Sequence, residues 1–204
     1  MKKNKNQMVF VLFIMVASLL FEGVSFGAES VTVLGTAVKS APVDSMNIPV
    51  IELPMPGSEQ DKSYLDLSGD GTFKIGQIKA QVLIIEVFSF YCPHCQRTAA
   101  QINDLYQEIQ KRADTKGKIK MIGIGAKNSA YEIDSYRERY NVPFPLFPDE
   151  NMEITEKLGV KGTPTFIGVK VDGKGLQERF YFGEGGFQDN QKFLTEIIKL
   201  SGLK

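Results

Sequence analysis

The sequence predicts an α/β fold built on a mixed sheet, and three observations carry that expectation. Val82 to Phe88 is an almost continuous apolar run, as in a strand buried on both faces in the middle of a partly parallel sheet. After it, helix-like and strand-like patterns alternate, which demands parallel crossovers. Two strand-like segments around Asp172-Gly173 then add antiparallel pairing.

Each element has its own signal. Residues 28–60 carry Pro42, Pro49, Pro54, Pro56 and Gly57, so they read as an extended lead-in packed on the domain, with at most an edge strand over Val50-Ile51-Glu52-Leu53. The main domain is expected over residues 61–204. Tyr64-Leu65-Asp66-Leu67 and Thr72-Phe73-Lys74-Ile75 flank a glycine-rich turn and suggest a hairpin. After Cys95, Ile102, Leu105, Tyr106 and Ile109 recur at helical spacing to about Arg112, and Ile119 to Ile124 alternates as a strand. Ser129-Ala130-Tyr131-Glu132 is a capping box opening a helix faced by Ile133, Tyr136 and Tyr140. Pro143, Pro145 and Pro148 force an extended passage, and Asn151 is placed to cap a short helix ending at Gly159. Thr165 to Val171 and Glu178 to Phe182 are the last strands, with Phe180 and Phe182 expected on one face. Phe193, Leu194, Ile197 and Ile198 form a closing helix between Asp189 and Gly202.

Composition narrows the function. The chain has 204 residues, with 24 basic side chains balanced by 24 acidic ones, so nothing favours a nucleic-acid surface. Two cysteines and one histidine cannot complete a four-ligand Cys/His zinc site or a multi-bridge disulfide scaffold. Lys2, Lys3 and Lys5 precede an apolar run from Met8 to Phe21, and Ser25-Phe26-Gly27 offers small residues to a signal peptidase. Residues 1–27 therefore read as a secretory signal peptide. The other reading is an uncleaved anchor, for which the run is short of the roughly 20 residues that span a bilayer. Either way the domain is expected outside the cytoplasm, in a periplasm or otherwise exported, where an exported cysteine pair is a disulfide or a redox couple.

The two cysteines stand in Cys92-Pro93-His94-Cys95, directly after the buried strand and at the start of a helix. Unpaired N–H groups and the positive helix end favour a thiolate at Cys92. Pro93 suits the first turn, where no N–H is needed. His94 can add charge or a hydrogen bond toward the sulfur. Both effects lower the Cys92 pKa and make it a good attacking and leaving group. Cys95, one turn on, is then the resolving thiol. A structural disulfide would close too short a loop to constrain the unfolded chain much, and a metal site would lack further ligands.

Glu86-Val87-Phe88-Ser89-Phe90-Tyr91-Cys92-Pro93-His94-Cys95 resembles the active-site segment of the thioredoxin superfamily, with the dipeptide of the DsbA dithiol oxidases. Asp70-Gly71-Thr72-Phe73, Phe144-Pro145-Leu146-Phe147-Pro148-Asp149 and Leu158-Gly159-Val160-Lys161-Gly162-Thr163-Pro164-Thr165-Phe166 are similar to the exported TlpA/ResA-like redoxins, often reductants. The resemblance covers about residues 60–204 and implies a thioredoxin-like fold, a central mixed β-sheet flanked by helices. Tyr91 departs from the family's usual tryptophan, and Cys95 to Pro164 leaves no room for DsbA's inserted helical domain.

The resemblance also implies roles. Pro164 is expected to be cis beside the cysteines, exposing the Thr163 backbone to pair with a substrate strand, while the Thr163 hydroxyl tunes the thiolate. Glu86, six residues before Cys92, matches the family's buried acid and would accept the Cys95 proton, its pKa raised by desolvation. It could instead sit at an edge and reach water. Of Phe88, Phe90 and Tyr91, only Tyr91 is expected at the surface, where it can meet substrate. The expected function is exported thiol–disulfide exchange with protein or peptide partners through Cys92 and Cys95, without cofactor or metal. A TlpA/ResA-like reductant served by a membrane redox partner is favoured over a DsbA-like oxidase. A peroxiredoxin, a copper-delivery module and a non-catalytic binding module are the rivals. Residues 28–60 look too short for a dimerisation domain, so a monomer is expected.

Overall fold

The structure, a computed structural model, describes residues 48–203. The expected leader over 1–27 and residues 28–47 of the lead-in lie outside the described residues. Five strands form the central sheet: β3 (Val82–Phe88), β4 (Ile119–Ala126), β5 (Leu146–Asp149), β6 (Thr165–Lys170) and β7 (Glu178–Glu184), in the order β5-β4-β3-β6-β7. β3 runs parallel to β4 and β4 to β5, whereas β6 is antiparallel to both β3 and β7. A separate ribbon pairs β1 (Glu52–Pro54) with β2 (Thr72–Lys74). The helices are α1 (Glu59–Leu65), α2 (Pro93–Lys111), α3 (Ala130–Tyr140), α4 (Glu153–Lys157) and α5 (Asn190–Ser201). The expected mixed α/β architecture is the one observed.

Strand alternation divides the core into two layers. Val82, Ile84 and Phe88 pack with Ile102, Leu105 and Ile109 of α2 and Phe193, Leu194 and Ile197 of α5. Leu83, Ile85 and Val87 point the other way, toward Ile51, Leu53, Leu65, Phe73 and Ile75. Glu86 shares the parity of Val82, Ile84 and Phe88, so it faces the α2 layer, in register with Gly123 on β4 and Phe166 on β6. That parity aims the carboxyl at the helix that carries the cysteines.

Three local expectations change. Residues 64–67 are not a hairpin strand: Tyr64 and Leu65 end α1, which Ser58 caps and Asp66 terminates in the left-handed conformation at φ 60°. The partner of β2 is β1, so the edge strand expected near Val50 to Leu53 takes the role assigned to 64–67. α4 is not capped by Asn151; the Asp149 carboxylate accepts the Ile154 and Thr155 N–H groups at 3.1 and 2.7 Å.

Phe180 and Phe182 do not share a face. The β6–β7 register shifts at Gly168/Val169, so Phe180 is the extra residue of a bulge. It joins Tyr181 under α5, while Phe182 packs in the opposite layer. Gly168 makes this possible, because a Cβ there would come within 2.7 Å of Phe180 Cζ.

Candidate active site

β3 ends at Phe88, and Ser89-Phe90-Tyr91 carries the chain over the sheet end into α2. A turn closed by Cys92 N–H to Ser89 O at 3.0 Å sets the entry angle. Cys92 is the N-cap of α2, in extended conformation, with its sulfur in the place that a Ser or Asp oxygen usually takes. The Cys95 N–H points at that sulfur from 3.3 Å. Pro93 occupies the first helical position as expected.

The two thiols, both free, are physically unlike. Cys92 is half-buried. Burial alone would raise its pKa, but hydrogen bonds from the Cys95 and Thr163 side chains and the Cys95 and His94 backbone outweigh it, and the net shift is downward. Cys95 is fully buried, and burial, the hydrogen bond to Cys92 and the nearby Glu86 charge push its thiol far up. One sulfur is ready to attack, and its partner is held protonated until called on.

Glu86 does not reach water: it is 3% exposed, and its Oε1 has no hydrogen-bond partner. Burial first, and then the charge of Cys92, lift its pKa from 4.5 to about 8. A carboxyl that exchanges a proton near pH 8 is thus close enough to the buried thiol for its charge to act on it. Tyr136 of α3 donates its hydroxyl to Cys95 O at 3.1 Å, bracing the first turn of α2 from the same layer.

The Thr163–Pro164 peptide is cis, matching the expectation. Thr163 O lies 3.3 Å from Cys92 Sγ, so this loop forms the second wall of the site. It is pinned from both sides: Thr165 Oγ1 donates to Gly162 O at 2.7 Å, and Gly185 N–H donates to Pro164 O at 2.8 Å. Gly185 does this at φ 82°, a conformation that favours glycine. The segment after β7, read from sequence only as a strand end and turn, therefore holds the proline loop. Phe187 anchors it, stacked on Phe193 at 4.0 Å.

Tyr91 is 64% exposed, while Phe88 is buried and Phe90 half-buried, as expected. The Tyr91 hydroxyl hydrogen-bonds the Glu132 carboxylate, which also accepts the Ser129 N–H of the capping box at 2.8 Å. Tyr131, next to Glu132 in the chain, is 80% exposed. His94 is half-exposed in the first turn, and it is its backbone that stabilises the sulfur.

The sequence reading missed Asn128. Its side chain is fully buried, and its Oδ1 accepts the Phe90 N–H at 2.8 Å, tying the active-site turn to the end of β4. The available signal was a polar residue closing an apolar strand just before the capping box. Asn128→Ala strands a buried N–H, so it should cost about 1–3 kcal/mol, measurable by urea unfolding of the reduced protein. A loss well below that range would mean another group replaces Asn128.

Residues 49–184 match the AhpC/TSA family. Two similar proteins are both called thiol-disulfide oxidoreductase ResA. The one from Halalkalibacterium halodurans is 21% identical over 53% of this chain, and the match spans only 58% of that relative. The one from Bacillus thuringiensis is 23% identical over 65% of this chain and 72% of the relative. The thioredoxin domain of a thiol-disulfide oxidoreductase from Bacteroides vulgatus shares the fold with a TM-score of 0.54 at 11% identity, over 76% of this chain and 96% of that one. With its thioredoxin-like sheet and most of its length matched, the chain belongs to the AhpC/TSA family.

Proposed function

We propose that the protein is an exported thiol–disulfide oxidoreductase that reduces protein or peptide disulfides. The observation that carries this reading is the pairing of an accessible thiol with a lowered pKa and a buried thiol with a raised one, close to a carboxyl that titrates near 8.

The Cys92 thiolate attacks one sulfur of a substrate disulfide, and the other sulfur leaves as a thiolate that takes a proton from solvent. Cys95 then gives its proton to Glu86 in its ionised form, populated as pH rises toward about 8, and attacks Cys92 Sγ, breaking the mixed disulfide. The second substrate sulfur departs as a thiolate and takes a proton from solvent, two electrons have passed to the substrate, and Cys92–Cys95 is left oxidised. The Thr163 backbone can pair with the substrate strand, and Tyr91 and Tyr131 can pack against its side chains. The leader-like residues 1–27 support export, and a membrane donor would restore the dithiol.

Two features favour reduction over oxidation. A strongly oxidising pair needs a strongly stabilised Cys92 thiolate in the reduced form. Here the stabilising hydrogen bonds come from Cys95, Thr163 and the helix-start backbone. Where it is ionised, the buried Glu86 carboxylate also opposes negative charge on Cys92. The test is stoichiometric transfer in both directions with a peptide disulfide and its dithiol. The dithiol protein should reduce the peptide nearly completely; net oxidation of the peptide dithiol by the disulfide form would instead assign a DsbA-like oxidase.

A further inference from the structure

At the end of the sheet away from the cysteines, Lys120 sits in register with Leu83, on the face shared with Ile122 and Ile124. It is only 7% exposed, and among the described residues it has no ion-pair partner. Its ammonium lies 5.9 Å from the centre of the Tyr64 ring. The nearby carboxylate, Asp66, is already 3.6 Å from Lys79. An unpaired buried cation calls for a counter-charge.

A cavity of 260 Å³ opens at this point, lined by Lys79, Lys116, Lys120, Asp66, Tyr64 and Gln110, with Gly117 and Ile119 at its margin. Three ammonium groups face one carboxylate, an excess of two positive charges. The Tyr64 oxygen already accepts the Met121 N–H at 2.8 Å, which leaves its O–H free to donate inward. The Gln110 amide adds a neutral donor. Lysines act as point charges suited to phosphate, and the planar arginine fork that grips carboxylates is missing from the lining.

We propose that this cavity binds a small phosphate dianion, either inorganic phosphate or a phosphomonoester headgroup. Lys120 supplies the buried charge, Lys79 and Lys116 close over the oxygens from the rim, and Tyr64 and Gln110 orient them. The site is independent of the Cys92–Cys95 chemistry, at the opposite end of β3.

The test is an NMR titration of the labelled full-length protein with inorganic phosphate and with glycerol 3-phosphate, at constant ionic strength and with chloride as reference. Both should give saturable shifts at the Gly117 and Met121 amides, and the tighter of the two identifies the source. Lys120→Met should weaken binding at least about tenfold, as loss of one close charge contact does, and Lys120→Arg should keep most of it. Because Lys120 is buried, Lys116→Ala at the exposed rim provides a second variant, also expected to weaken binding. Shifts that match chloride and do not saturate, or that saturate equally in Lys120→Met and Lys116→Ala, would overturn the proposal.

Discussion

Replacing Cys92 with serine should reduce disulfide exchange to the uncatalysed rate, while replacing Cys95 should stop the reaction one step later. The asymmetry follows from burial and hydrogen bonding. Cys92 is the reachable sulfur, held at the N-cap of α2 by the Cys95 N–H. Cys95 is fully buried and cannot meet a protein substrate directly. In Cys95→Ser the first attack still occurs, but nothing resolves the mixed disulfide, so the substrate should remain attached to Cys92. Mass spectrometry after mixing with a peptide disulfide reads this as a covalent adduct. Multiple turnovers by Cys95→Ser, or retained exchange in Cys92→Ser, would contradict the assignment.

Glu86→Gln should change both stability and rate, each with a pH signature. The folded carboxyl titrates near 8 against 4.5 for an ordinary glutamate, mainly because it is buried and then because Cys92 lies nearby. Between those values the native state keeps a proton that the unfolded chain releases. Native stability from this group is therefore complete below about pH 4.5 and is lost as pH rises through about 8. At 1.36 kcal/mol per unit, the full swing has an upper bound of about 5 kcal/mol. The variant, with nothing to titrate, should gain about 3–5 kcal/mol on the wild type between pH 4.5 and 8.5 in paired urea unfolding curves. A difference constant with pH would mean that the carboxyl is hydrated. In exchange assays the resolving step should slow by about a hundredfold, the scale of a lost proton acceptor, and lose its inflection near pH 8.

Features that depend on neighbours in sequence were legible from it. The apolar run of β3, the helix behind Cys95 and the Ser129 capping box are strong local patterns, and the structure contains all three. The cysteines and the proline loop were readable because the chemistry needs them at fixed places in the chain. Errors arose where a local pattern had two solutions. Tyr64-Leu65-Asp66-Leu67 alternates like a strand, yet Ser58 and its acidic first turn make it the end of a helix too short to show a period. One bulge residue reversed the facing of Phe182, which no period-two reading could anticipate.

The supporting residues of the site were harder to see because they act across long stretches of chain. Asn128 serves Phe90, Glu132 serves Tyr91, and Gly185 serves Pro164; in each case sheet topology brings the partners together. Nothing local to Asn128 distinguishes a buried acceptor from an exposed loop residue. Glu86 lies between these cases. An acid in an apolar run marks a cost, but only the register beside Gly123 and Phe166 shows which layer bears it.

The reduction potential of the Cys92–Cys95 pair, found by equilibrating the protein with defined thiol–disulfide buffers, tests the central claim most directly. A reversible two-electron couple well below about −200 mV, toward the roughly −270 mV of thioredoxin, is the expected result. A value near the roughly −120 mV of DsbA would contradict the reductant assignment, and no reversible couple at all would contradict the redox role of both cysteines.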